Sequence, residues 1–332
     1  MMQSSLVNEV NTTSSNASTM KKSFAKELAT TDTLSSEQFA VKEIRSGKTA
    51  AGKDYIDVIL GDRTGTVAGK IWADNIPNCE NTKVGEIVEI SGKVGEFRGK
   101  LQITINFLQN CKDFELSDFL PKTEKDIEKL WQVVQTNIKQ IKSKHYKKLL
   151  SNLFDDKEFI EKFKQAPAAE KIHHAYIGGL IEHVVDMLNL ANTVIGDYPE
   201  LNRDLLISGV LLHDLGKLEE LAIGNTIYRT VQGYLVGHLP LGAIMIDKEI
   251  DKIKDFPIED RSKLINCILG HHEKLEFGSP VRPMTREAFA LAHIDNLSAK
   301  VNTANQLVED QSENDEEFTD RNFALETKLY LK

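Results

Sequence analysis

His213 and Asp214 lie side by side in Leu211-Leu212-His213-Asp214-Leu215-Gly216-Lys217, where an imidazole and a carboxylate end an apolar run. The chain has nine histidines, and all except His145 fall between His173 and His293. Imidazoles gathered in this way and interleaved with carboxylates have a metal ion as their commonest partner. The ordered set is His183, His213-Asp214, His238, His271-His272 and Asp295. His183 and Asp295 sit in apolar stretches of helical rhythm, 179–188 and 289–297, where a lone carboxylate needs a compensating partner. One ion held by His183, His213, Asp214 and Asp295 would satisfy all four groups. A second ion would share Asp214 and take His238 and His271, with His272 as a further candidate. Such a centre supplies a metal-activated hydroxide and a clamp on phosphoryl oxygens. Lys217, one turn beyond Asp214, is a candidate catalytic cation beside the phosphate. His173 and His174 precede the first ligand helix and either contact substrate or cap local structure. His293, two residues before Asp295, points elsewhere on its helix and is assigned to packing.

These side chains need a helical scaffold, and the pattern supplies one after Thr123. Thr123-Glu124-Lys125-Asp126 has the spacing of a capping box. Ile127, Leu130, Trp131, Val134, Ile138 and Ile141 then recur at helical steps. Further helices are expected over 146–154 and from about Asp156, and from Ile172 onward the rhythm is helical throughout. Residues 306–320 are acidic and read as a solvated loop.

Before Thr123 the period is two. Short alternating runs at 55–60, 66–72, 86–94 and 100–107, with turn signals between them, predict about five strands closed into a small barrel. Its candidate contacts for a single-stranded polymer are Lys53, Tyr55, Lys70, Trp72, Phe97, Arg98 and Lys100, which mix cations with stacking surfaces. The competing placement puts Tyr55 and Trp72 in the strand packing. Residues 1–35 are polar and aperiodic and read as a flexible tail.

Composition narrows the partners. A net charge of −9 argues against broad adhesion to nucleic acid or anionic membranes, though a local groove or metal pair can still attract phosphate. No apolar run is long enough to span a bilayer. Cys79, Cys111 and Cys267 are far apart and form no CxxC pair, so they read as reduced packing residues of a cytoplasmic protein.

The pattern His183…His213-Asp214…Asp295, continued by Gly216-Lys217, resembles the HD superfamily of metal-dependent phosphohydrolases, and His238 with His271-His272 resembles its two-metal branch. A small barrel ahead of His173-His174-Ala175-Tyr176-Ile177-Gly178-Gly179-Leu180-Ile181-Glu182-His183 is similar to the YhaM-type 3′-5′ exoribonucleases of bacteria. Thr64-Gly65, the stretch 98–103 and the ending 318–325 are similar too. The resemblance implies a multidomain α and β chain, an OB-fold barrel followed by an all-α HD bundle. It places a tail at 1–35, the OB-fold at 36–116, a helical connector at 117–170, the HD domain at 171–305 and an acidic C-terminal segment at 306–332. It implies an enzyme that removes nucleoside 5′-monophosphates from the 3′ end of single-stranded RNA, with single-stranded DNA as a further substrate. The implied cofactor is a divalent metal, two ions, typically manganese, with cobalt, iron or magnesium as alternatives. A homo-oligomer is compatible with the sequence. Two rival readings are a hydrolase of free or cyclic nucleotides and a binding protein with a vestigial HD site. The first leaves the barrel unexplained, and its cyclic-dinucleotide form lacks a Gly-Tyr-Pro motif after His271-His272. The second has no need of an intact ligand set.

Overall fold

The computed structural model describes residues 21–170, 175–224, 226–311 and 316–332. It divides into two compact units, Met1–Phe119 and Leu120–Lys332.

The first unit is a closed barrel of β1 (Thr33–Lys48), β2 (Asp54–Asp62), β3 (Gly65–Trp72), β4 (Ile87–Phe97) and β5 (Lys100–Asn110). The strand order β1-β2-β3-β5-β4, with β3 and β5 parallel and the other pairs antiparallel, is the Greek-key OB-fold. Alternation fills it. Val58 and Leu60, Val67 and Ile71, Val88 and Ile90, and Ile103 and Ile105 all turn inward. In β5 the register against β4 slips between Ser91 and Gly92, so Leu108 takes the next inward place and Phe107 is turned out. A side chain on Gly92 would collide with the Thr104 carbonyl, which is why the strands close at this bulge only with glycine there.

Of the tail expected over 1–35, residues 1–20 lie outside the described residues. Residues 21–35 are built onto the barrel because their polar groups have fixed partners. Asp62 receives the Lys21 ammonium at 3.2 Å and the Ala25 amide at 2.7 Å, and Glu37 receives the Ser23 amide. Lys21 also lies 3.6 Å from the centre of the Phe39 ring.

The second unit contains α1 (Ile127–Lys139), α2 (Lys144–Phe154), α3 (Lys157–Gln165), α4 (Gly179–Asp197), α5 (Arg203–Leu212), α6 (Lys217–Glu220), β6 (Leu221–Ile223), β7 (Ile227–Arg229), α7 (Val231–Leu235), α8 (His238–Asp251), α9 (Ile258–Gly270) and α10 (Arg286–Gln311). Every residue from Leu205 to Leu212 is buried, as expected of a helix apolar all round. Around α5 pack α4, α9 and α10, which carry or adjoin the histidines.

Four expectations change here. The segment 117–170 does not merely connect, because Trp131, Val134, Leu149, Leu150 and Phe163 belong to the same core as α4 and α5. Thr123 does not cap α1. Its hydroxyl donates to the buried Glu182 carboxylate and its oxygen accepts from the Lys125 amide, ahead of the helix, and Asp126 caps α1 by accepting from the Glu128 and Lys129 amides. The stretch after α6 is not helical but a short hairpin, β6 with β7. Of the acidic loop expected over 306–320, the residues up to Gln311 belong to α10 instead.

Candidate metal centre

Helix ends deliver three of the histidines. His213 closes α5, His271 closes α9 and His238 opens α8, whereas His183 and Asp295 project from within α4 and α10. The loop between α5 and α6 can approach the start of α8 only because residue 216 is glycine. Its backbone is ordinary right-handed helix, φ −60°, so what the position requires is space. A side chain on Gly216 would strike the His238 carbonyl.

Asp214 is at the centre. Its Oδ2 lies 3.3 Å from His213 Nε2, 3.7 Å from His183 Nε2 and 2.6 Å from the Lys217 ammonium. Its Oδ1 lies 3.6 Å from His238 Nε2 and 3.7 Å from His271 Nε2. His183 Nε2 is also 3.2 Å from Asp295. Three groupings bring possible ligand atoms within 4.8 Å of one another: His183, His213 and Asp295; His213, Asp214 and His271; and His238, His271 and His272.

The far ring nitrogens show which atoms are free to bind. Nδ1 of His213 lies 2.9 Å from the Val210 carbonyl, Nδ1 of His271 2.8 Å from that of Ile268, and Nδ1 of His272 2.9 Å from that of Phe277. A carbonyl only accepts, so each Nδ1 carries the proton and each Nε2 keeps its lone pair. Nε2 of His213, His238 and His271 and Oδ1 of Asp214 are buried without a hydrogen-bond partner. Buried polar atoms left this way are costly, and a divalent cation satisfies such a set of imidazole and carboxylate donors. The residues present fit a metal.

Charge states agree. Burial opposes ionisation of Asp214, yet Lys217 and His213 hold its carboxyl well below the usual carboxylate range. Asp295 is also lowered, with its contact to His183 outweighing burial. Burial and the neighbouring imidazoles push His271 and His272 down, so both stay neutral and able to ligate. His213 is drawn up, because Asp214 beside it outweighs burial.

A cavity of about 570 Å³ opens over this cluster, lined also by Lys217, Glu273, Phe277 and Asn296. His173 and His174 lie outside the described residues. His293 is exposed, so it points away from the site but does not pack. Glu220, behind His238, and Phe277, at the cavity, were not singled out from the sequence. Glu219 and Glu220 are adjacent like acids, and only the fold shows that the second is buried.

On the barrel, Tyr55 and Trp72 are opposite each other in the β2–β3 register, with ring centres 6.2 Å apart. The Lys70 ammonium lies 4.0 Å from the Tyr55 ring and 5.0 Å from the Trp72 ring, with Asp57 at 2.8 Å. Trp72 is 41% exposed, so it is not strand core. Phe97, Arg98 and Lys100 form the β4–β5 turn, where the Arg98 guanidinium lies 5.3 Å from the Phe97 ring, and Lys53 sits exposed before β2. Phe107, turned out by the β5 bulge, adds an exposed ring that strict alternation would have placed inside.

An OB-fold barrel joined to a helical bundle with a buried His/Asp centre defines an HD-domain protein, and the family model of the HD domain matches residues 180–300. Among curated proteins, the chain is 36% identical to the 3′-5′ exoribonuclease YhaM of Geobacillus sp. over 88% of this chain and 90% of that one. It is 34% identical to that of Bacillus velezensis over 89% of this chain and 94% of that one. The chain belongs to the YhaM 3′-5′ exoribonuclease family. Membership implies dependence on a divalent metal. Among solved structures, the chain is similar to a domain of replication protein A from Methanococcus maripaludis, at 22% identity and a TM-score of 0.23 over 27% of this chain and 96% of that one. Among the described residues, no helix is long and apolar enough to cross a membrane.

Proposed function

We propose that this chain is a metal-dependent 3′-5′ exoribonuclease that shortens single-stranded RNA from its 3′ end, with single-stranded DNA as a second substrate. The observation that carries this reading is the convergence of the buried Nε2 atoms of His213, His238 and His271 on Asp214 beneath a cavity that also holds Lys217. His183, His213, Asp214 and Asp295 would hold one ion, and Asp214, His238, His271 and His272 would hold the second. When bound, the ions supply Lewis-acid charge and bring a water's pKa toward neutrality. We assign manganese, with cobalt, iron and magnesium as the ions to compare.

The chain's own groups position the rest. Lys217 reaches the Asp214 carboxylate and therefore any phosphoryl oxygen beside it, where a fixed cation favours the charge that develops at phosphorus. Water adds to phosphorus, the bond to the preceding 3′ oxygen breaks, and a nucleoside 5′-monophosphate leaves. Tyr55, Lys70 and Trp72 hold the strand on the barrel by stacking and charge, with Lys53, Phe97, Arg98 and Lys100 as further contacts. His173 and His174 remain candidate substrate contacts. A cytoplasmic location accords with three free cysteines.

The test uses chelator-stripped protein, Mn²⁺ and 5′-labelled single-stranded RNA. The expected product is a ladder receding one nucleotide at a time with release of 5′-monophosphates, abolished by chelator and by Asp214→Ala in a folded variant. Internal fragments from a 3′-blocked substrate would overturn the exonucleolytic reading, and near wild-type turnover by Asp214→Ala the site.

A further inference from the structure

Glu220 stands behind His238. Its Oε2 lies 3.0 Å from His238 Nδ1, while Nε2 of the same ring faces Asp214. The side chain is buried, at the end of α6, and its backbone is fixed from the hairpin that follows. The Thr230 amide donates to the Glu220 carbonyl, and α7 packs so close that a side chain on Gly233 would strike that carbonyl. Arg229, on β7, lies 3.8 Å from the other carboxylate oxygen.

His213 and His271 each close a helix and give Nδ1 to the carbonyl three residues back. His238 opens its helix, after Gly237 at φ +79°, and has no such helical carbonyl behind it. A side chain must supply the acceptor, and the one present is a carboxylate. A carboxylate on the far nitrogen of a ligating imidazole fixes the tautomer, orients the ring and strengthens the donor.

We propose that Glu220 is a positioning residue for the metal centre: it holds His238 with Nδ1 protonated and Nε2 presented to the divalent cation shared with His271 and His272. Arg229 in turn aligns Glu220. This inference rests on the metal reading above.

The experiment is Mn²⁺ titration calorimetry on chelator-stripped full-length protein, comparing wild type with Glu220→Ala, Glu220→Gln, His238→Ala and the Glu220→Ala/His238→Ala double variant. Wild type should show two binding steps. Glu220→Ala should weaken one of them toward a hundredfold, and Glu220→Gln, whose amide oxygen still accepts from Nδ1, by about tenfold. The other step should be unchanged, and Glu220→Ala should add nothing once His238 is gone. Equal weakening of both steps, additive loss in the double variant, or an unchanged Glu220→Gln would overturn the positioning role. The isosteric Glu220→Gln keeps the test decisive if Glu220→Ala does not fold. A wild type that binds no Mn²⁺ would instead overturn the metal reading, whereas two bound ions with indifferent Glu220 variants would overturn this inference alone.

Discussion

Asp214 is a fully buried carboxylate whose neighbours are four imidazoles and one ammonium. Isolated in such a place it would cost several kcal/mol or take up a proton, and the surrounding groups prevent both. Lys217 is the one aliphatic cation among them, and it cannot be a ligand while it holds its proton. Lys217→Ala should therefore lower kcat by about tenfold to a thousandfold, the scale of losing one fixed transition-state donor, while leaving metal content normal. Elemental analysis and single-turnover RNA cleavage on the same preparation decide this. Loss of metal or undiminished cleavage would return Lys217 to a structural partner of Asp214. These residues were legible because imidazoles and carboxylates with this spacing have few other uses. Glu220 was not legible, because its role depends on which of two adjacent acids faces inward.

Among the elements, long helices with an apolar period were readable from the chain, and features of one or two residues were not. The hairpin of β6 and β7 has strands too short to show alternation. Thr123 has the spacing of a cap, but its oxygen accepts from the Lys125 amide ahead of the helix, while its hydroxyl donates to the Glu182 carboxylate 59 residues away. The β5 bulge likewise depends on a glycine in β4, so Phe107 looked inward by period and is exposed in the fold. What the barrel strands do present is legible chemistry, with Trp72, Lys70 and Tyr55 clustered across β2 and β3. Trp72→Ala should weaken single-stranded RNA binding by about 1–3 kcal/mol, the value of one stacked base, which is roughly tenfold for each 1.4 kcal/mol. Fluorescence anisotropy in the non-cleaving Asp214→Ala background measures it directly. Unchanged affinity would mean that the strand is held elsewhere on the protein.

At the scale of the molecule, each unit has its own hydrophobic core. The barrel closes around Phe39, Leu60, Ile90 and Ile105, and the helical unit around α4 and α5 with α1 to α3 included. All the candidate metal ligands lie in the second unit, and the stacking cluster lies in the first. Chemistry and strand capture are thus assigned to separately cored pieces of chain, and the two should separate in experiment. A protein beginning at Leu120 retains the whole helical core, and because α1 to α3 belong to that core, a cut after them would not leave a stable remainder. This truncated protein should keep its metal and hydrolyse a small activated phosphodiester such as bis(p-nitrophenyl) phosphate at close to the full-length rate. Its KM for single-stranded RNA should rise by about tenfold or more, since every stacking contact on the barrel has been removed. The paired rates distinguish the outcomes. Equal loss on both substrates would show that the barrel is needed to form the metal centre, and an unchanged KM for RNA would show that the helical unit captures the strand by itself.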